Sequence, residues 1–531
     1  MVMTPQRFRR GMRGLVVDLA LIGLVSFVLQ ATHFSYRQGR SVISGDSAQY
    51  VASAKALLSP ETTPHFEMRK PGYILFLAAV MSVFGNMGYA VVACQYGLLA
   101  ALPLAAYGLG RHLHGRALGW AAAGLTAVRL LEVYWAERIM SEVLYCFLFS
   151  FGLLAFVAGL ARNGSRRWLL MAGLLLGTAW LTRGVATPVI AAGVVVLFLS
   201  LRKNLRTALA SCAMFIAPIA GCLVVECALN LNFAGQFRPS NGTAGATLLL
   251  RARNFEGFDW PATPEAARVA ALVPQRDAGE AYVANLLDAW VARYRAVHDL
   301  TMTEWEYDTL MGRAGLQLIA RHPWPYLRSS ARLALGHLAR HPDGQTLSPI
   351  AAERLSGPLI HPAAAGREDG TEYWFAYWGL PHMALDRSVE LVGRMKTSAE
   401  TRAPFGSSAV WRTLRVVQAM PIVQGIQRGC IWLGSLWPGF ALIALAFLRL
   451  RARTCAFLAV AYVVDAAFIG LLTPTTARLQ FVWIAIDTTM GAVVWTALPC
   501  AAISRLRKRT GDATDGRLLA EATGRALDRP T

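Results

Sequence analysis

Charge is scarce in this chain of 531 residues: 16% are Asp, Glu, Lys or Arg against 55% hydrophobic, and the mean hydropathy is +0.40. Soluble domains carry roughly 25% charged residues. The apolar residues here gather in runs near the ~20 residues that one spanning helix needs, which excludes a soluble fold. Acids are scarcer than bases, 32 against 52. That excess does not describe a nucleic-acid binder, because the bases stand in short clusters between apolar runs. Cysteine is sparse as well. All eight, Cys94, Cys146, Cys212, Cys222, Cys227, Cys430, Cys455 and Cys500, fall in or at the ends of apolar runs without metal-ligand spacing, so neither disulfides nor a cysteine metal centre is expected. No repeat relates the two halves. The basic N-terminal start and its apolar core lack a convincing small-x-small cleavage site, and read as a retained anchor.

What is present reports topology. Basic clusters stand at Arg7 to Arg13, Arg111 to Arg116, Arg162 to Arg167, Arg202 to Arg206, Arg449 to Arg453 and Arg505 to Arg509. Positive residues mark the cytoplasmic side. Placing all these clusters inside requires an even number of spans between neighbours. Helices near 14–32, 88–110, 117–132, 142–161, 168–182, 184–201, 207–232, 429–448, 454–472 and 480–502 satisfy this, giving ten spans with both termini cytoplasmic. The apolar stretch 71–85 is not counted. It is too short, it opens on Pro71 and Gly72, and counting it would move the cluster at Arg111 outside, so it reads as an interfacial or re-entrant helix.

The expected fold class is an all-α polytopic membrane protein of about ten transmembrane helices. It has juxtamembrane helices in the first external loop (residues 33–87) and a mostly helical external domain. The expected divisions are 1–232, an N-terminal membrane module; 233–428, an external (periplasmic) domain; 429–502, C-terminal membrane helices; and 503–531, a basic, disordered cytoplasmic tail. The external region is nearly balanced in charge and has no cysteine. Its apolar periodicity predicts helices over 264–287 and 300–338, with Pro- and Gly-rich loops near 341–379. The run Arg321 to Arg340 fits either a helix on the membrane surface or an ordinary packing helix.

Candidate functional residues lie in the external loops. Asp46 opens a helical pattern whose face carries Tyr50 and Ala54. An acid at a helix start is well explained by capping and the dipole. Arg69 and Lys70 follow in the same loop after a Pro- and Thr-containing linker, however, and acid and cations can converge at one interfacial pocket. The next external edge carries Glu132, Glu137, Arg138 and Glu142. An acid at bilayer depth points to a cavity or a partner, although at a membrane boundary it can simply be solvated. Arg183, in the turn Leu181 to Gly184, fits either a snorkelling arginine or an anion contact. Arg478, after Pro474, joins the same outer layer. Asp18, Glu226 and Asp465 stand inside apolar runs, and read as satisfied polar residues packed between helices.

Four pieces of sequence, in order and spacing, resemble the GT-C glycosyltransferases that use polyprenyl-phosphate sugars, the protein mannosyltransferases and lipid A aminoarabinose transferases among them. They are Gly45-Asp46-Ser47-Ala48-Gln49-Tyr50; Phe66-Glu67-Met68-Arg69-Lys70-Pro71-Gly72-Tyr73; Met140-Ser141-Glu142; and Leu181-Thr182-Arg183-Gly184. The resemblance covers most of the first 235 residues and is weak in the last three spans. It implies Asp46 as catalytic base, Arg69, Lys70 and Arg183 as donor-phosphate ligands, and Tyr50, Glu142, Arg138 and Arg478 near donor or acceptor. The implied partners are a polyprenyl-phosphate sugar, a lipid, glycan or protein acceptor, and membrane lipids, with no nucleic acid, at the bacterial cytoplasmic membrane. Many relatives carry a second acid after the first, where this chain has Ser47, and Lys-Pro-Pro where it has Lys70-Pro71-Gly72. A divalent metal, and its ligands, are thereby left open. The position of the external region, between spans seven and eight, also departs from relatives with a globular domain after the last span.

Two other classes stay open. A transporter or flippase would show repeats and ionisable or broken helices near the bilayer midplane, whereas charge here collects at span ends. A lipid-glycan polymerase or ligase would share membrane and sugar lipid and differ in donor and product.

Overall fold

The computed structural model describes residues 5–36, 42–43, 45–59, 69–85, 88–129, 134–240, 244–253, 263–272 and 302–339, with isolated positions at 64, 66, 372–373 and between 458 and 467. Its helices are α1 (Pro5–Tyr36), α2 (Gly45–Leu58), α3 (Pro71–Phe84), α4 (Gly88–His114), α5 (Arg116–Arg129), α6 (Glu142–Ala161), α7 (Arg166–Thr182), α8 (Thr187–Leu201), α9 (Leu205–Ala234), α10 (Ala244–Arg253), α11 (Pro264–Leu272), α12 (Glu304–Arg321) and α13 (Pro323–Ala339). The one extended pairing among the described residues joins Val42–Ile43 in parallel to Glu372–Tyr373. The chain is a polytopic, helical membrane protein. Among the described residues, five segments are long and apolar enough to cross a bilayer: Arg13–Ser35, Gly88–His114, Glu142–Ala161, Gly184–Leu201 and Leu205–Ala234. Helix α3, at 14 residues, rises only about 21 Å and is short of a ~30 Å hydrocarbon core.

The bundle is built by the sequence features that end and pack its helices. Asn204 caps α9, its side chain accepting the Thr207 N–H at 3.1 Å. Gly235 closes that helix in the left-handed region at φ 68°, which a residue without Cβ adopts freely. Helix α7 lies against α9 at Gly173 and Gly177, where a Cβ would run into Phe215 backbone and Cys222. Small residues at such crossings let helices approach closely without water-driven burial. Apolar side chains that water would penalise are turned outward: Val16, Leu24 and Phe27 on α1, and Leu209 and Val224 on α9 are exposed, which suits a lipid surround. The five cysteines among the described residues, Cys94, Cys146, Cys212, Cys222 and Cys227, are free thiols.

Because consecutive helices reverse direction, the short basic turns after α4, α6 and α8 share one end of the bundle. At that end Asp18 is 1% exposed. It accepts two bonds from Arg116 at 2.8 and 2.7 Å and one from the Tyr107 hydroxyl. Asp18 is thus a satisfied polar group between helices. The opposite end collects the start of α3, the start of α6, and the ends of α7 and α9.

Beyond α9 the chain forms a small helical layer. Ala246, Leu249, Val269, Tyr307 and Met311 make its core, and Asp308 accepts the N–H groups of Gly245 and Ala246 at 2.8 and 3.2 Å, capping α10 from another helix. The expected helix over 300–338 is two helices, because Pro323 cannot donate into a continuing ladder and a new helix starts there. Of the helix expected over 264–287, Pro264–Leu272 is described and the rest lies outside the described residues. Helix α13 buries Tyr326 and Ser330 while leaving Trp324 78% and Leu327 46% exposed. The loops near 341–379 apart from Glu372–Tyr373, the spans near 429–448 and 480–502, Arg478 and the tail 503–531 lie outside the described residues.

Candidate functional site at one end of the bundle

Helix α3 begins with Pro71 in its first position, where a missing N–H is no loss. Gly72 then presses on the end of α7: a Cβ there would stand 2.7 Å from Thr182 Oγ1 and 2.9 Å from the Leu181 carbonyl carbon. Glycine in place of a second proline is therefore a packing requirement in this chain. Gly72→Val should cost ~1–3 kcal/mol by overpacking, measured as a lower unfolding temperature of the purified protein.

This docking sets Lys70 beside the turn after α7. A Cβ at Gly184 would lie 3.6 Å from Lys70 Cε. Lys70 Nζ reaches Glu226 Oε1 and Oε2 at 2.8 and 3.0 Å, and lies 3.8 Å from the centre of the Trp180 ring. The lysine side chain is 16% exposed and the glutamate 0%. Burial pulls the Lys70 amine below the usual lysine range, and the Glu226 carboxylate opposes that pull.

A second pair stands next to it. Arg183 Nη1 meets Glu142 Oε1 at 2.7 Å and the Ser141 hydroxyl at 3.3 Å. Glu142 is fully buried at the first position of α6, where the helix N-terminus favours an anion. The solvated-boundary reading of Glu142 is thereby overturned: it is a buried partner of Arg183. A carboxylate left alone in such a place would cost ~3–5 kcal/mol, which is why each stands against a cation.

Helix α2 and the loop before α6 complete the layer. The Tyr50 hydroxyl donates to Ser141 Oγ at 3.4 Å, and the Tyr50 ring meets Tyr73 edge-on at 5.0 Å. Arg69 donates from Nε to Gln49 Oε1 at 2.7 Å and lies 5.5 Å from the Tyr50 ring centre. Gln95 accepts the Tyr73 hydroxyl and donates to the Ala136 and Arg138 carbonyls, all at 2.8 Å. The Arg138 guanidinium lies 5.0 Å over Trp135. Asp46 is the second residue of α2, one turn before Tyr50, and its side chain lies outside the described residues. Asp465, 4% exposed, is within electrostatic range of Tyr145, three positions along α6 from Glu142.

The structure thus brings Arg69, Lys70, Arg183, Tyr50 and Glu142 to one end of the bundle. It adds Glu226, Trp180 and Gln95, which sequence reasoning did not assign to the site. Their signal was available in part: Gln95 and Glu226 are polar residues inside apolar helices, which is uncommon without a partner or a function. Among the described residues no three metal-ligating side chains come together.

Residues 68–225 match the family model of dolichyl-phosphate-mannose-protein mannosyltransferases. The match covers under a third of the chain and lies within the helical bundle. The matched part contains Arg69, Lys70, Glu142 and Arg183, starts after Asp46 and ends one residue before Glu226. Among solved structures, the archaeal oligosaccharyltransferase AglB from Archaeoglobus fulgidus, in complex with an inhibitory peptide and a dolichol-phosphate, is similar at 12% identity over 96% of this chain and 52% of that chain, with a TM-score of 0.37. ArnT from Cupriavidus metallidurans, bound to undecaprenyl phosphate, is similar at 13% identity over 89% of this chain and 78% of that chain, with a TM-score of 0.33. The chain spans about half the length of AglB. No curated protein sequence is significantly similar to it.

Proposed function

We propose that this protein is an inverting glycosyltransferase that moves a sugar from a polyprenyl-phosphate donor to a hydroxyl of a lipid, glycan or protein acceptor, at the external face of the membrane. The observation that carries this reading is the layer of Arg69, Lys70 and Arg183. It gathers at the bundle end opposite the basic turns, inside a segment that matches a family named for a polyprenyl-phosphate sugar. By the charge rule the basic turns face the cytoplasm, which puts the layer outside.

The chemistry asks little of the protein. An acceptor hydroxyl attacks the anomeric carbon while Asp46, as general base, takes its proton. The carbon–oxygen bond to the lipid phosphate breaks, and the polyprenyl phosphate leaves as a stable anion that needs no general acid, unlike the alcohol expelled in glycoside hydrolysis. Arg69 and Arg183 offer planar forks and Lys70 a point charge to that phosphate. Held in place before the reaction, they favour the transition state as charge grows on the phosphate oxygens. One direct displacement inverts the anomeric centre. Tyr50, Arg138, Glu142 and Arg478 are assigned to the surrounding donor and acceptor contacts.

The test is transfer of radiolabel from a panel of polyprenyl-phosphate sugars in membranes with and without the chain. Label appearing in a lipid, glycan or protein fraction only when the chain is present supports the transferase reading and names the acceptor class. No difference across the panel would favour a transporter or a lipid-glycan polymerase.

A further inference from the structure

Glu226 holds two parts of the chain at once. Its carboxylate binds Lys70 Nζ at 2.8 and 3.0 Å, and its Oε1 also accepts the backbone N–H of Ser240 at 3.0 Å. One turn further along α9, Asn230 Nδ2 donates to the Arg238 carbonyl at 2.8 Å and to the Ser240 hydroxyl at 3.3 Å. The segment 235–240, which leads from α9 toward α10, is therefore pinned to α9 by two side chains, and one of them is the counter-ion of Lys70. The same segment reaches the helical layer, because the Arg238 guanidinium stacks 3.7 Å from the ring centre of Trp305 on α12. A continuous path runs from Lys70 through Glu226 and the linker to Trp305.

Charge makes this junction two-state in character. A lipid phosphate and the Glu226 carboxylate are both anions, and a single ammonium cannot keep both at hydrogen-bond distance without bringing like charges together in a dry site.

We propose that Glu226 is a donor-sensing positioning residue: a polyprenyl phosphate that takes Lys70 displaces this carboxylate and with it loosens the 235–240 linker to the helical layer. The proposal rests on the reading of Lys70 as a phosphate ligand. Because such coupling is reciprocal, loosening the linker must also strengthen phosphate binding.

The experiment uses the full chain in lipid nanodiscs with sugar-free polyprenyl phosphate as the probe, and reads both its affinity and the hydrogen exchange of backbone amides 235–240. In the wild type, saturating phosphate should speed exchange across the linker by about tenfold, while Glu226→Gln should bind the phosphate about tenfold more tightly and exchange fast from the outset. Asn230→Ala leaves the Lys70–Glu226 pair untouched and keeps the test available if Glu226→Gln fails to fold; it should bind roughly fivefold more tightly through linkage alone. Phosphate binding that is unchanged or weaker in both variants, or linker exchange that ignores bound phosphate, overturns the proposal. A wild type that binds no polyprenyl phosphate fails differently, since it removes the phosphate reading of Lys70 and the proposed function together.

Discussion

Lys70→Ala is expected to raise the donor KM by roughly 10- to 100-fold, the equivalent of a lost charge-assisted hydrogen bond to phosphate. The maximal rate should fall less, because Arg69 and Arg183 remain to receive the charge growing on the phosphate and Asp46 still takes the acceptor proton. The same substitution carries a second cost. It strands Glu226, fully buried and 2.8 Å from the lost ammonium, and an uncompensated buried carboxylate destabilises by ~3–5 kcal/mol. Stability and donor use therefore have to be separated. The double variant Lys70→Met with Glu226→Gln replaces the ion pair by neutral groups of similar size and should recover most of the unfolding temperature without recovering the donor KM. Recovery of both would show that Lys70 acts only through packing.

The membrane bundle was legible because its signals are local. Apolar runs of spanning length and the short basic turns placed α1, α4, α6, α8 and α9 close to where the structure has them. The stretch 71–85 is too short to span, opens on Pro71 and Gly72 and as a span would break the charge rule, and the helix found there is the 14-residue Pro71–Phe84. The break before α13 was also written in the sequence at Pro323, but apolar periodicity on both sides concealed it.

The pairing within the site was not legible, because it joins distant residues. Lys70 meets Glu226 across 156 positions, and no helical or turn rule links residues so far apart. Arg69 and Lys70 are adjacent in sequence yet take different partners, Gln49 on α2 and Glu226 on α9. Arg183 and Glu142 were both singled out from their depth at span ends, but an end position alone does not distinguish a hydrated charge from a buried one. That distinction came from the fold, which shuts Glu142 away from solvent beside Arg183.

The central claim is that one acid on α2 removes the acceptor proton while the cation layer receives the phosphate. Asp46 is the second residue of its helix, and that helix is tied to the layer by Gln49 and Tyr50 through Arg69 and Ser141. Asparagine keeps the size and hydrogen-bonding reach of aspartate but cannot accept a proton at neutral pH, so Asp46→Asn isolates the base. General-base catalysis contributes about 10²- to 10⁴-fold, and a loss of that size should appear in the maximal rate with little change in donor KM or unfolding temperature. The most direct measurement is the rate of label transfer from a polyprenyl-phosphate sugar by purified wild-type and Asp46→Asn protein at matched amounts. The account predicts labelled product and free polyprenyl phosphate from the wild type, and at least about 100-fold less of both from a stable Asp46→Asn variant. An Asp46→Asn enzyme that transfers at the wild-type rate would contradict it.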